Sequence, residues 1–320
     1  MKQMTIKQIF NLAIELGIAS DPRGKRGIEK WLANERKKYN KLDKEERQFF
    51  DKERFINPYA DSRLLYGDPN KKIKTVLAGI DVQEAEIALN CAIGQKIDLI
   101  ITHHPTGRAL AALDEVMHMQ ADLMAVYGVP INVAEGVMRE KIKEVARSIS
   151  PENHMRTVDA AKLAKIPIIC VHTSCDNIVF QYLQKLIERK KPEIVGEIIE
   201  ILRKIPEYKI ASFNNAGPKI FAGESENRAG KIIAFDITGG TEGAKEIYPE
   251  LVKAGAGTVI GMHMKDENRE EAIKNHLNVV VAGHISSDSL GMNLFLDKLA
   301  AKNIKIIPCS GLIRVKRNPR

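Results

Sequence analysis

The sequence predicts an α/β protein: a two-domain fold built on a mixed, largely parallel sheet with flanking helices, behind a helical N-terminal extension. Three observations carry this. Short aliphatic runs alternate with longer stretches of helical periodicity, which is how strands joined by crossover helices read. Several of those runs end in histidine and aspartate, and strand ends are where α/β sheets place their ligand sites. Residues 1–70 differ from the rest, being charged and helical.

Within 1–70, Ile9, Leu12, Ala13 and Leu16 fall at helix spacing, and Gly17 predicts a stop. Asp21-Pro22-Arg23-Gly24 has turn chemistry, and Ile28, Trp31, Leu32, Leu42, Phe49 and Phe50 predict further helices. Trp31, Tyr39, Phe49, Phe50, Phe55, Tyr59 and Tyr66 gather here and predict that aromatic packing pins the extension. No catalytic cluster is legible in it. Gly67-Asp68-Pro69-Asn70 marks its end. Residues 73–80 then read as a first buried strand closed by Asp81, 82–93 as a helix, and 97–102 as a second strand, a β-α-β unit.

The second strand runs I-D-L-I-I-T-H-H-P over 97–105 and organises the chain. Side chains alternate faces along a strand, so His103 and His104 share a site only if the backbone leaves the strand there, and Pro105 favours that change. Two imidazoles at a strand end suit metal ligation or acid/base work; one exposed and one hydrogen-bonded ring is the structural alternative.

Residues 109–127 predict a helix, 129–133 a short strand, and 139–148 and 158–165 two more helices. Residues 168–174, I-I-C-V-H-T-S, read as a buried strand running into Cys175-Asp176-Asn177, with a helix over 177–189 that Asp176 can cap. Residues 190–208 are charged and helical; 209–213 and 219–223 read as strands. The strand 231–238 enters Gly239-Gly240-Thr241-Glu242-Gly243, a βα turn without the P-loop or dinucleotide fingerprint. A helix over 244–254, a strand over 257–262 ending at His263, a helix over 267–274 and a strand over 278–282 ending at Gly283-His284 follow. A helix over 290–301, a strand over 304–307 and a frayed, solvated tail over 314–320 complete the chain. This predicts residues 71–190 and 256–320 as two halves of a metal-binding α/β domain, with 191–255 an inserted α/β portion.

Of the 320 residues, 44% are apolar, and no run approaches the roughly 18 apolar residues of a membrane span. The N-terminal M-K-Q-M-T-I-K-Q-I-F is charged and lacks a small-residue cleavage site, so no signal peptide and a cytoplasmic location are expected. Cys91, Cys170, Cys175 and Cys309 form no C-x-x-C pair or disulfide framework; Cys170 and Cys309 read as packed thiols, whereas Cys175 sits beside a candidate ligand, Asp176, and reads as either a soft ligand or a packed thiol. The net charge of +8 reads as a solvated basic surface, with weak nucleic-acid affinity the sharper alternative and no recognition motif behind it.

The buried strands therefore end in His103 and His104, in His172 with Asp176, in His263, and in His284 with Asp288. Four or five imidazoles and two carboxylates exceed a single tetrahedral zinc site and suit two ions sharing a carboxylate. His118, amid methionines, reads as a packed residue; His154 and His276 take no assignment.

At these residues the chain resembles the NGG-interacting-factor-three-like family, the GTP cyclohydrolase 1 type 2 homologues. That family carries I-T-H-H-P, H-T-x-x-D and G-H-x-x-x-E in order. This chain has Ile101-Thr102-His103-His104-Pro105, His172-Thr173-Ser174-Cys175-Asp176 and Gly283-His284-Ile285-Ser286-Ser287-Asp288. The resemblance spans about 73–313 and implies a dinuclear site with His103, His104, Asp176 and His284 as ligands and Asp288 at the bridging position. It also implies ring-shaped homo-oligomers, commonly hexamers. Asp288 replaces a glutamate, one methylene shorter, and Ser174-Cys175 replace Asn-Leu. His172 is expected to orient water or substrate, and His263 to contact substrate.

Two functions follow as expectations. One is a metal-dependent hydrolase of a nucleotide, pterin-like or phosphoester substrate, GTP cyclohydrolase-like by resemblance. The other is a non-catalytic metal-binding scaffold that binds a partner or nucleic acid. The ligand types suit two divalent ions of Zn, Fe, Mn, Co or Ni. No separate cofactor-binding residues and no membrane partner are expected.

Overall fold

Two sheets organise the computed structural model, which describes residues 3–317. The strands are β1 (Ser62–Tyr66), β2 (Thr75–Gly79), β3 (Leu99–Thr102), β4 (Ile168–Val171), β5 (Lys219–Ala222), β6 (Lys231–Ala234), β7 (Ala256–Gly261), β8 (Asn278–Val281) and β9 (Lys305–Cys309). The first sheet has the order β1-β4-β3-β2-β9 and the second β5-β8-β7-β6. Only the edge strands β1 and β5 run antiparallel to their neighbours. The expected mixed, largely parallel α/β architecture is the one the chain adopts.

Every residue of β3, β4 and β8 is buried. Strands covered on both faces must be apolar on both, which is why they read as unbroken aliphatic runs. Alternation then sorts the side chains. Leu99 and Ile101 pack with Ile6, Ile9 and Ala13 of the helix Ile6–Ala19 and with Phe295 and Leu296 of the helix His284–Ala300. Ile100, on the other face, packs with Ile87 and Ala161. The second sheet shares a larger core, in which Val259 and Val280 meet Val195, Ile198 and Leu202 of the helix Val195–Arg203. Register aligns the carboxyl ends: Gly79 lies opposite Thr102, and Thr102 opposite Cys170.

Several expectations are corrected. Residues 1–70 are not wholly a helical extension, because Ser62–Tyr66 forms the edge of the first sheet beside β4. Gly17 does not end the first helix, which runs to Ala19. Its missing side chain instead allows close helix packing: a Cβ there would lie 2.8 Å from the Ser174 Cα. The aromatic pinning is present, with Tyr39, Phe50 and Phe55 packed at ring separations of 5.2–5.4 Å. The strands expected over 129–133 and 209–213 are helical. Pro130 and Pro206 open the helices Ile131–Ile149 and Pro206–Phe213, where the fixed φ of proline and its missing N–H cost nothing. A division at 255/256 would separate β7 from β6, its hydrogen-bonded neighbour. The tail is held rather than frayed as far as it is described: Arg314 pairs with Asp297 and Arg317 with Glu207. Residues 318–320 of that expectation lie outside the described residues. Among the described residues, no helix is long and apolar enough to cross a membrane.

Candidate metal centre

Past Thr102 the strand alternation breaks, since two successive N–H groups turn to the same neighbour. The His103 N–H donates to the Gly79 carbonyl and the His104 N–H to that of Ile80, each at 3.0 Å. The backbone has thus left the strand before Pro105, and both imidazoles reach one space, with rings 5.3 Å apart. His103 is fully buried and His104 half-buried.

The carboxylates arrive by helix geometry. β4 passes directly into the helix His172–Lys190, and β8, through Gly283, into His284–Ala300. Asp176 therefore does not cap a helix, as its sequence position suggests, but sits one turn inside it, on the same face as His172. Asp288 stands likewise below His284. Residues four apart share a face, and side chains lean toward the helix N-terminus, so both carboxylates point back at the strand ends. The helix dipole there favours negative charge.

Side chains from distant segments converge as a result. His103 Nε2 lies 3.2 Å from Asp176 Oδ1 and 3.5 Å from Asp288 Oδ1. His104 Nε2 and His284 Nε2 lie 3.3 and 3.5 Å from Asp288 Oδ2. The two Nε2 atoms are 3.3 Å apart. Yet both ring nitrogens of His103 and all four oxygens of Asp176 and Asp288 are buried without an aligned hydrogen-bond partner. A buried carboxylate left unpaired costs several kcal/mol. Donors that approach one another without bonding are what a divalent cation would satisfy, and the mixed imidazole and carboxylate set fits such an ion. Three groups could hold one: His103 with Asp176 and Asp288, His104 with His284 and Asp288, and His103 with His104 and His172. Asp288 belongs to two of them, one oxygen facing His103 and the other facing His104 and His284.

The electrostatics agree. Burial disfavours charge on His103, but Asp288 and Asp176 reverse this and raise its pKa well above the ordinary value. Burial is likewise overcome at His104, where Asp288 and Asp81 raise the pKa to about 9. Burial opposes the charge of Asp288, and the imidazoles of His103, His104 and His284 hold it well below the usual carboxylate range. His284 is lowered, first by burial. The site thus gathers positive charge around its carboxylates, supplied by protons that compete with metal.

All seven residues singled out in the sequence lie in this region. The His172 ring is 5.1 Å from that of His103. The His263 ring meets His284 edge-on at 5.0 Å but joins none of the three groups. His154 lies outside the cluster, its Nε2 donating to the Ile149 carbonyl. Cys175 is a buried thiol whose pKa burial pushes up, as a packed residue should be. Three residues escaped the sequence reading: Asp61, Asp81 and Asp236, each 2.6–2.8 Å from the Nδ1 of His172, His104 or His263. The signal for Asp236 was an aspartate inside the aliphatic run K-I-I-A-F-D-I-T, and for Asp81 its place at a strand end. Nothing in 1–70 marked Asp61.

The Duf34/NIF3 (NGG1p interacting factor 3) family matches residues 47–123, which begins inside the N-terminal extension and takes in His103 and His104. The chain is similar in structure to a NIF3 superfamily protein from Sphaerobacter thermophilus, with a TM-score of 0.73, 23% identity, and 98% of this chain and 100% of that one covered. Reduced HcgD from Methanocaldococcus jannaschii gives a TM-score of 0.47 at 16% identity, over 77% of this chain and 87% of that one. A Bacillus cereus protein related to NIF3 also gives 0.47, at 12% identity, over 100% and 99%. No curated protein matches the chain. Over 47–123 the chain matches the family that its motifs resemble, and along its length it shares the fold of the Sphaerobacter thermophilus protein.

Proposed function

We propose that this chain is a metal-dependent hydrolase that holds two divalent ions, one at His103, Asp176 and Asp288 and the other at His104, His284 and Asp288. The observation that carries the proposal is the buried carboxylate of Asp288, which turns one oxygen to each imidazole set and bonds to neither. Ions bound there would supply Lewis acidity and a nucleophile at neutral pH. The protein's own part is to fix the ligands on strand ends and helix starts, and to exclude water from Asp176 and Asp288, both fully buried.

Substrate would enter from the side of His104. A cleft of about 170 Å³ opens beside it, lined by Asp81, Thr102, Thr106, His154 and Arg156 among others. Arg156, paired with Glu84, offers a cation for a phosphate, which favours a nucleotide or phosphoester over a neutral substrate. His263, beside His284, is placed to meet substrate from the second sheet. A homohexameric ring belongs to the same proposal.

The test is metal analysis followed by a screen of nucleotides, pterins and phosphodiesters. Two equivalents of transition metal are expected, with His104→Ala losing both metal and turnover. Full turnover after exhaustive metal removal would refute the reading. The net charge of +8 favours a second reading, a metal-holding scaffold for nucleic acid. Absent turnover together with salt-sensitive DNA binding would select it.

A further inference from the structure

Three imidazoles around the centre have a carboxylate behind them. His104 Nδ1 is 2.6 Å from Asp81 Oδ1, His172 Nδ1 is 2.7 Å from Asp61 Oδ2, and His263 Nδ1 is 2.8 Å from Asp236 Oδ2. An ionised carboxylate only accepts, so each Nδ1 facing one carries a proton, and in the neutral ring it is Nε2 that keeps the lone pair. Histidines that ligate metals are commonly wired this way, the rear carboxylate fixing tautomer and ring orientation.

The three are not equivalent in what Nε2 faces. That of His104 meets Asp288 and His284, already in a candidate ligand set. His172 has a ring nitrogen within reach of donor atoms from His103 and His104, forming the third candidate group. Its Nε2 also lies 3.8 Å from Asp176 Oδ2. His263 belongs to no group, and its bond to Asp236 is not aligned. His172 therefore matches His104 in wiring and in placement, and His263 matches it in neither.

The wiring is also rigid. Asp61 is fully buried on the turn that leads into β1. Its Oδ2 accepts from His172 Nδ1 and, at 2.6 Å, from Thr173 Oγ1. The Cys170 thiol at the end of β4 donates to the Asp61 carbonyl at 3.0 Å. β1 pairs antiparallel with β4, Ser62 opposite Val171, so the pairing of these strands sets the carboxylate directly behind the imidazole.

We infer that His172 is a further metal ligand and that Asp61 is its positioning residue, a device supplied by the N-terminal segment. The inference rests on the metal-binding reading above. It says that the edge strand is part of the metal centre rather than a support for the sheet.

The test is titration of Co2+ into the metal-stripped full-length chain, following visible absorption and competition with a chelator. Four variants are compared: His172→Gln, Asp61→Asn, Asp61→Ala and His104→Ala. Loss of a rear carboxylate lowers metal affinity about 10- to 100-fold in comparable centres. Asp61→Ala should show that loss, and Asp61→Asn, whose amide oxygen still accepts from Nδ1, a smaller one. His172→Gln should weaken Co2+ and change the absorption spectrum. Circular dichroism identifies any variant that has failed to fold, and Asp61→Asn keeps the test open if Asp61→Ala does not fold. Parental Co2+ affinity and spectrum in folded His172→Gln, with His104→Ala impaired, would overturn the inference and leave the metal site standing. Parental binding in His104→Ala as well would overturn the site itself.

Discussion

Raising the pH from about 7 to about 9 should strengthen metal binding and weaken the metal-free fold at the same time. His104 carries an ordinary value of 6.5 that Asp288 and Asp81 raise to about 9. At about pH 7 only about 1% of its rings are then neutral, and a metal must displace the proton to bind. Through His104 alone, apparent affinity for Co2+ should therefore rise about 50-fold between these limits, as the neutral fraction climbs from about 1% to about half. His103, raised in the same direction, steepens the climb. Calorimetry in buffers of different ionisation enthalpy should record proton release on binding at pH 7 and less of it at pH 9.5. The stability of the metal-free protein moves the other way. A group whose folded pKa is raised stabilises fully below its unfolded value and ceases to do so as pH passes its folded value. The contribution of His104 is thus present below 6.5 and gone above about 9. It amounts to at most about 3 kcal/mol. The depressed pKa of Asp288 reflects the same ion pairs and adds nothing to that figure. Co2+ affinity that is flat or falling from pH 7 to 9 would refute the reasoning.

Two further outcomes follow from the geometry. Asp288→Asn should remove both ions and Asp176→Asn one, because Asp288 belongs to both ligand sets and Asp176 to one; metal stoichiometry by elemental analysis decides, and equal losses would contradict a bridging Asp288. Gly17→Ala should destabilise by about 1–3 kcal/mol, since the new Cβ would meet the Ser174 Cα at 2.8 Å and its carbonyl oxygen at 2.9 Å. Helix propensity alone favours alanine by about 1 kcal/mol, so a melting temperature at or above the parent's would show that the helices part without cost.

Much of this was legible because burial writes itself into composition. β3, β4 and β8 are covered on both faces, so their sequences are aliphatic throughout and end abruptly where chemistry begins. His103, His104, His172 and His284 were visible for that reason. What stayed hidden depends on partners distant in sequence. Ser62–Tyr66 is an edge strand, with Leu64, Leu65 and Tyr66 only half-buried, so its pattern is weak and its pairing with β4 cannot be read locally. Asp61 was lost with it. Proline caused the two false strands: V-P-I-N-V and the residues after Pro206 are apolar enough for either state, and a proline at a helix start resembles a breaker. The aspartates were placed by a different error. Starting the two helices five and six residues late made Asp176 a cap and left Asp288 in a loop, although the i,i+4 spacing of His172 with Asp176 and of His284 with Asp288 was the clue to a shared face.

That spacing also explains why the centre lies between the sheets. His103, His104 and Asp176 follow strands of the first sheet, whereas His284 follows β8 of the second. The helix that starts at His284 does not stay with its own sheet: its later turns bury Met292, Phe295 and Leu296 in the core of the first. Asp288 lies between those anchors and the second sheet, so its carboxylate is delivered to His103 only when both cores are packed. Each ion proposed here would take donors from both sides of that junction. Its binding energy would then add directly to the docking of the two sheets, by RT ln(1 + [L]/Kd). The buried carboxylates that face imidazoles without an aligned hydrogen bond are the same groups through which metal would lock the sheets together.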